Sequence, residues 1–226
     1  MTNETELRAK LIQQLSSHDP KVVMSGVSDL EKNGWLYDGS LKGTSFAGGN
    51  FYELILSECN LPDVDFSRGC LHGVDFTKAN LQGAKFLSAD LTRVMMDESN
   101  LQSAIFDDAD LSGGLITNNL EGASFERANL RYAGIGSKLR NASFRYANLQ
   151  DAHLTSDDAR GCNFSEANLQ NTKLRDVIFD ANTILPNGIP WTPEIDLMIF
   201  TDSSHPNFWR SQDTASPAHP NAKEKE

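Results

Sequence analysis

Large apolar residues recur at every fifth position along most of the chain. In residues 75–94, DFTKANLQGAKFLSADLTRV, they are Phe76, Leu81, Phe86 and Leu91. An α-helix repeats its apolar face every 3.6 residues and a strand every 2, so a spacing of five fits neither. Each large residue, here called a centre, usually follows a small residue or Val by two positions, and the two residues after it are mostly polar or Gly. The pattern predicts a repeat in which one large and one small residue of every five point inward.

The repeat runs from Leu41 to Ile184 and slips twice by one residue, resuming at Leu120 and again at Leu139. Of its thirty centres, twenty-nine are Leu, Phe, Ile or Met, and the exception is Ala159. Both slips fall at the same place in a twenty-residue period. Each slip therefore predicts a four-residue face at one corner and not a loss of the fold.

Short extended segments joined by tight turns satisfy this pattern, because Asn, Asp and Gly supply the turn chemistry. Four segments make a square coil of about twenty residues, and about seven coils stacked at roughly 4.8 Å make a rod about 35 Å long. Centres from successive coils should then stack in four columns. One column is aromatic and consists of Phe46, Phe66, Phe86, Phe106, Phe125, Phe144 and Phe164.

The segments ANLQG, ADLTR, ADLSG and ANLRY resemble the A-[ND]-L-x-x motif of the pentapeptide-repeat family. The resemblance covers residues 39–184. It implies an all-β solenoid, the right-handed quadrilateral β-helix, and the handedness comes from the resemblance alone. The predicted organisation is a helical N-terminal cap over 1–36, the β-helix over 37–184, a C-terminal cap over 185–210 and a disordered tail over 211–226.

The two caps are needed because a β-helix exposes an edge at each end. In the first cap, Asp19 and Pro20 predict the start of a second helix and Gly34 its end. In the second, Thr192, Pro193 and Glu194 predict a short helix. The aromatic residues of 191–209 either seal the last coil or form a homodimer through the C-terminal cap.

The net charge and the cysteines limit the binding partners and the cellular compartment that the sequence predicts. The chain has 31 acidic and 20 basic residues, a net charge of −11, so the positive charge of a nucleic-acid binder is missing and anionic membranes are disfavoured. Three cysteines form no CxxC motif, which fits a reducing compartment. With no visible signal peptide or spanning segment, the sequence favours a cytoplasmic protein that binds neither nucleic acid directly nor membrane.

No catalytic or cofactor-binding motif is visible in the sequence. It contains no GxSxG, P-loop, dinucleotide fingerprint or HExxH. The five histidines are scattered, and a filled rod offers no deep pocket. We therefore expect no enzyme activity, no metal and no cofactor.

Two surface features are candidates for binding a protein partner. Ile55, Met95 and Leu115 occupy one outward position of successive coils, and Asp75 interrupts the stripe that they form. Such a stripe marks a partner surface if it is contiguous, and otherwise it is scattered exposure. The second feature is the acidic segment 88–126, with Asp97, Glu98, Asp107, Asp108 and Glu126 among its acids.

These features give two hypotheses of function. The first is a non-catalytic scaffold that binds an unknown protein through outward side chains. The second is DNA mimicry directed at DNA gyrase, which the family resemblance implies for some members. Residues 41–184 hold 19 acids and 13 bases, a net of −6, whereas duplex DNA of about 35 Å carries about 20 charges. Segment 88–126 comes closer to the charge density of duplex DNA, because it holds eight acids and a single base, Arg93.

One unit of the repeat is irregular. In LTSDDARGC, Asp157 falls at an inward position and Ala159 at a centre. Either a β-bulge redirects the chain there or a hydrogen-bonded carboxylate is buried, and the pattern favours the bulge.

Overall fold

The computed structural model describes residues 2–222, with the side chains of all but residues 2, 3, 118, 137 and 157. Two helices begin the chain, a stack of short parallel segments follows, and a third helix lies near the end. The regular elements are α1 (Thr2–Leu15), α2 (Pro20–Lys32), β1 (Ser99–Asn100), β2 (Leu115–Asn119), β3 (Gly134–Lys138), β4 (His153–Asp158), β5 (Lys173–Arg175) and α3 (Met198–Thr201).

Most of the repeat is held together by single parallel bridges between coils. The bridge partners are twenty residues apart, as in Asp65 with Lys85 and Lys85 with Ile105. In the same ladder the Phe86 N–H donates to the Ile105 carbonyl at 2.7 Å, and the Lys85 N–H donates to the Val64 carbonyl at 2.9 Å. Four such ladders per coil make the four-sided parallel β-helix that the spacing predicts.

The corners of the coil are tight turns with a fixed geometry. At most corners the carbonyl of the centre accepts a hydrogen bond from the N–H three residues later, as from Ala89 to Phe86 at 3.1 Å. The residue two after the centre has a positive φ, for example 54° at Ser88 and 66° at Gly113. These are the features of a type II turn, and they explain why Gly is common at this position.

The interior of the rod is filled by the centres. The rings of Phe86, Phe106, Phe125, Phe144 and Phe164 are nearly parallel, with successive centroids 4.8–5.1 Å apart. All five side chains are buried. This column confirms the prediction that aromatic centres remain aligned across both slips.

The two slips form longer strands at one corner, as predicted. Ile105 bridges Ser124 and Ser124 bridges Ser143, so both coils contain nineteen residues. At this corner β2 and β3 replace the turn, and the two strands pair from Leu115–Gly134 to Asn119–Lys138. Losing one residue therefore extends the chain across the corner, and the columns keep their register.

The irregular unit contains the predicted bulge. Gly136 pairs with Thr155 and Lys138 with Asp158, so one residue of β3 faces two of β4. The alternative of a buried carboxylate concerns the side chain of Asp157, which lies outside the described residues. Its neighbour Asp158 forms salt bridges to Arg140 at 3.0 Å and Arg160 at 2.8 Å. Hydrogen bonds from these guanidinium groups, that of Arg160 first, hold the pKa of Asp158 well below its usual range.

The last coil differs from the prediction by one residue. Asn163 bridges Ile184, twenty-one residues later, so Ile184 takes the outward position. Leu185 is the buried centre. The extra residue lies between Phe179 and Leu185, where the Asp180 carboxylate accepts hydrogen bonds from the N–H groups of Gly161 and Asn182.

The N-terminal helices cover the first coil. The Asp19 carboxylate caps α2 by accepting from the Lys21 N–H at 2.9 Å, and Pro20 occupies the first turn. The Asn50 N–H of the first coil donates to the Ser17 carbonyl at 2.9 Å, which satisfies part of the open edge. Leu15 is buried at this junction.

The C-terminal segments differ from the prediction in two ways. The short helix begins at Met198, because residues 193–194 form only a turn. Residues 211–222, predicted to be disordered, form turns that pack against the rod. The Tyr146 hydroxyl donates to Asp213 at 3.0 Å, and the Ser216 hydroxyl donates to the Glu166 carbonyl at 2.7 Å. These side-chain contacts compensate for the low apolar content of the segment.

Candidate partner-binding face

One side of the β-helix presents exposed aliphatic side chains, and we call it the Met95 face. Its bridge ladder places Met95 next to Leu115 and separates Ile55 from Met95 by Asp75. Ile55, Met95 and Leu115 are 73%, 43% and 41% exposed. The outward residues of the ladder, in order from the N-terminal cap, are Ile55, Asp75, Met95, Leu115, Gly134, His153 and Lys173.

Strands replace the corner turn of the Met95 face from Leu115 onward, whereas the coil of Met95 keeps its turn at Asp97 and Glu98. From Leu115 to Asn119 the chain is extended over about 13 Å. Gly134 follows Leu115 in the ladder, and Leu115 Cδ1 lies 2.8 Å from the position that a Gly134 Cβ would occupy. The missing side chain at Gly134 therefore lets Leu115 lie against the sheet. Met95 and Leu115 form a continuous low apolar surface.

On the N-terminal side of Leu115, acidic side chains lie in and beside the face. Asp75 lies within the ladder, and Asp97 and Glu98 form the turn that follows Met96. The Asp97 carboxylate accepts from the Thr117 hydroxyl at 2.6 Å, which orients it along the face. Glu98 is exposed and has a φ of 57°.

The opposite end of the Met95 face is basic. His153, Lys173 and Arg175 are exposed and follow one another on β4 and β5. Along the ladder the face is therefore aliphatic at Ile55, Met95 and Leu115, interrupted by Asp75, and basic at the end nearer the C-terminal cap. Tyr132, 60% exposed, lies beside it in the turn before Gly134.

The other predicted acids lie at the diagonally opposite corner of the coil. Asp107, Asp108 and Glu126 follow centres of the aromatic column, whereas Asp97 and Glu98 follow a centre two columns further along the chain. The structure therefore divides the predicted surface into two separate regions.

Arginine side chains pair with two of the three acids in this second region. The Asp108 carboxylate accepts two hydrogen bonds from the Arg127 guanidinium at 2.8 and 2.9 Å, which raise the pKa of Arg127. Glu126 lies 3.7 Å from Arg127 and 3.9 Å from Arg145. Asp107 accepts from the Ser124 hydroxyl at 2.5 Å. The separation of charge along the sequence becomes a pairing of charge in space.

Other features of the rod bear on its chemistry. A cleft of about 250 Å³ lies between the coil at Arg127 and the segment around Ser216. Within residues 2–222, no group of three or more His, Cys, Asp or Glu side chains is placed to hold a metal ion. Burial raises the pKa of the Cys59 and Cys162 thiols to about 12. In the described part of the chain, no helix has the length and apolar character needed to cross a membrane.

The sequence model of the pentapeptide-repeat family matches eight copies, over residues 40–77, 75–113 and 142–180. These ranges together cover half of the chain. The chain belongs to the pentapeptide-repeat family. The family fold is a right-handed β-helix solenoid. The unmatched residues 114–141 contain β2 and β3, where the five-residue spacing is interrupted.

Solved pentapeptide-repeat proteins resemble this chain at low identity. HetL, a protein involved in heterocyst differentiation regulation from the cyanobacterium Nostoc sp. strain PCC 7120, is 16% identical, with a TM-score of 0.45 over 74% of this chain and 98% of HetL. QnrB1, a plasmid-mediated fluoroquinolone resistance protein, is 19% identical, with a TM-score of 0.47 over 62% of this chain and 74% of the QnrB1 chain. Rfr23 from the cyanobacterium Cyanothece 51142 is 23% identical, with a TM-score of 0.30 over 69% of this chain and 99% of Rfr23. No curated protein matches the chain by sequence.

Several residues of the Met95 face were not predicted from the sequence. Gly134, His153 and Lys173 continue the ladder of the predicted stripe, but they follow the slips and are neither apolar nor acidic. Counting nineteen or twenty residues onward from Leu115 would have found them.

Proposed function

We propose that this pentapeptide-repeat protein is a non-catalytic interaction protein and that the Met95 face binds its protein partner. The observation that carries the proposal is the adjacency of exposed Met95 and Leu115 in one bridge ladder. Apolar groups at the centre of a surface with a polar rim are typical of binding sites on proteins. Family membership supports a non-catalytic role, because pentapeptide-repeat proteins are generally non-enzymatic scaffolds.

A photocrosslinking amino acid at position 115 tests the proposal. We expect it to capture a protein in extracts of the native host. The same amino acid at Leu87, which is 38% exposed on another side of the rod, is the matched control. The captured protein, once purified, should bind the wild type and Leu87→Lys equally but bind Leu115→Lys at least about tenfold more weakly, a loss of about 1.4 kcal/mol. Equal binding to all three would contradict the proposal.

DNA mimicry directed at DNA gyrase is the alternative function. The acids of segment 88–126 favour it, but Arg127 and Arg145 form salt bridges with two of them, Asp108 and Glu126. Because these acids are paired with arginines, the charge on this surface favours an interaction protein over a DNA mimic. A supercoiling assay with gyrase, with and without a quinolone, tests it. No effect of excess protein in either condition would contradict mimicry.

A homodimer through the C-terminal cap is a separate proposal about assembly. Ile189 and Met198 are exposed at this end and favour it. Other apolar residues of the cap seal the last coil, since Trp191 packs on Phe179 and Trp209 on Phe200. Sedimentation velocity tests it: Met198→Lys should weaken the dimer, and a wild type that stays monomeric at every concentration would contradict the proposal.

A further inference from the structure

A polar segment near the end of the chain, residues 211–222, lies against the side of the rod and is here called the strap. The Tyr146 hydroxyl donates to the Asp213 carboxylate at 3.0 Å, and the Ser216 hydroxyl donates to the Glu166 carbonyl at 2.7 Å. Ser216 is only 1% exposed, although it is polar. The strap is therefore held on the coils by specific hydrogen bonds, each of which contributes little net stability.

The backbone of the strap forms three successive turns of its own. The N–H groups of Ser216, His219 and Ala222 each donate to the carbonyl three residues earlier, at 2.9–3.1 Å. Because these hydrogen bonds lie within the strap, its release from the coils would not leave the same backbone groups buried and unpaired.

Two clefts separate much of the strap from the coils. One, of about 250 Å³, lies between the coils at Arg131 and Asn148 and strap residues 214–217. The other, of about 170 Å³, lies between the coil at Asn168 and strap residues 217–220. The small side chains of the strap thus fill only part of the space beside the coils. A segment packed so loosely opens at a low cost in free energy while the rest of the protein stays folded.

We propose that this side of the rod is a peptide-binding surface and that the strap occupies it as an intramolecular competitor. The surface is separate from the Met95 face, because Tyr146 belongs to the turn that follows Phe144 of the aromatic column. A partner has to displace the strap, whose attachment to the rod gives it an effective concentration in the millimolar range.

The larger cleft defines the chemistry of a partner that displaces the strap. A protein segment with a carboxylate and a hydroxyl at the positions of Asp213 and Ser216 keeps both anchoring hydrogen bonds. Ala215 lines the cleft, and on the side of the coils Ala128, Tyr146 and the aliphatic stem of Arg131 also line it. A large apolar side chain in place of Ala215 would enter the cleft and bury apolar surface that the strap leaves exposed.

Binding of the strap as a separate peptide tests the proposal. In the full chain, Asp213→Ala/Ser216→Ala removes both anchors of the strap and leaves the coils unchanged. This variant should bind a fluorescent peptide of residues 211–222 at least about tenfold more tightly than the wild type does, measured by anisotropy, because its own strap competes less. Adding Tyr146→Phe should reverse the gain, since the peptide loses a donor to its carboxylate.

Tyr52→Phe is the matched control for the loss of a hydroxyl, because Tyr52 is 48% exposed on the first coil. Added to the double variant, it should leave binding of the peptide unchanged. Absence of binding to the double variant at millimolar peptide would overturn the inference. Equal losses from Tyr146→Phe and Tyr52→Phe would also overturn it.

Variants of the peptide test the chemistry of the partner. A peptide with Ala215→Leu should bind the double variant at least about threefold more tightly, because the added side chain fills the larger cleft. Gln212→Leu is the control, since position 212 lines neither cleft. Equal affinities of these two peptides would refute the assigned partner. Leu115→Lys in the full chain should change neither affinity, because the Met95 face is a different surface.

Hydrogen exchange of the wild type gives a readout that needs no variant. The Ser216 N–H should exchange at least about a hundredfold faster than the Phe106 N–H, which donates to the Ser124 carbonyl at 2.7 Å within the rod. The reason is that the strap opens while the coils stay folded. Equal protection of the two groups would show that the strap opens only when the rod unfolds, and it would overturn the inference.

Discussion

At the scale of the residue, the aromatic column explains why the period of five is so regular. Each centre is enclosed by its own coil and by the coils before and after it, so its size is fixed from three sides. Phe106 lies between Phe86 and Phe125, with ring centroids 4.9 and 4.8 Å away. A smaller side chain there would leave a cavity that the neighbouring coils could not fill, because their hydrogen-bond ladders fix the distance between them.

Phe106→Ala should therefore destabilise the protein by about 3–5 kcal/mol. Chemical denaturation followed by circular dichroism measures this loss. Leu87→Ala is the control, because its side chain lies on the surface and should change stability by less than about 0.5 kcal/mol. Similar losses in the two variants would contradict the filled interior.

How much the sequence predicts depends on whether a residue's position follows from the repeat alone. The buried position of Phe106 follows from it, because inward positions recur every five residues. The pairing of Asp108 with Arg127 does not, because it joins outward side chains from two coils across a nineteen-residue step. Leu115 could be predicted to be exposed, but its contact with Gly134 requires the flat corner that the slip creates. For Ile184 the prediction was wrong, because one extra residue after Phe179 shifts the count.

At the scale of the element, the corner turn sets the composition of outward positions. Its third residue has a positive φ, which costs a residue with a Cβ about 1–2 kcal/mol relative to Gly. Many coils nevertheless carry a charged residue there, such as Lys78 or Glu98. Charged residues at this turn position therefore lower the stability of the rod relative to Gly. Replacing a turn by a strand, as in β2 and β3, removes this constraint at one corner of those coils.

Gly113→Ala isolates the cost of the turn. Gly113 has a φ of 66°, and the nearest atom to an added Cβ is 3.9 Å away, so the substitution introduces strain without a clash. We expect a loss of about 1–2 kcal/mol in the free energy of unfolding. Ser112→Ala, in the same turn, is the matched control and should be nearly neutral. A neutral Gly113→Ala would show that the corner can adopt another turn type.

At the scale of the whole molecule, the rod depends on its ends. Each coil contacts only its neighbours, so stability increases with the number of stacked coils and the terminal coils are the weakest. Without a cap, the first coil would expose unpaired N–H and C=O groups, which pair readily with another chain. The helices α1 and α2 prevent this by covering the coil at Asn50 and by burying Leu15 against it.

Leu15→Asp should undock these helices and leave the edge of the first coil open. A buried carboxylate without a partner is strongly unfavourable, so the cap should move away from the coil while the inner coils stay folded. We expect slow formation of large oligomers, measured by light scattering, with circular dichroism that retains the signal of the β-helix. Leu7→Asp changes an exposed position of the same helix and should not assemble. If Leu15→Asp produced no large species, or unfolded the chain completely, the helices would not act as a protective cap on an independently stable rod.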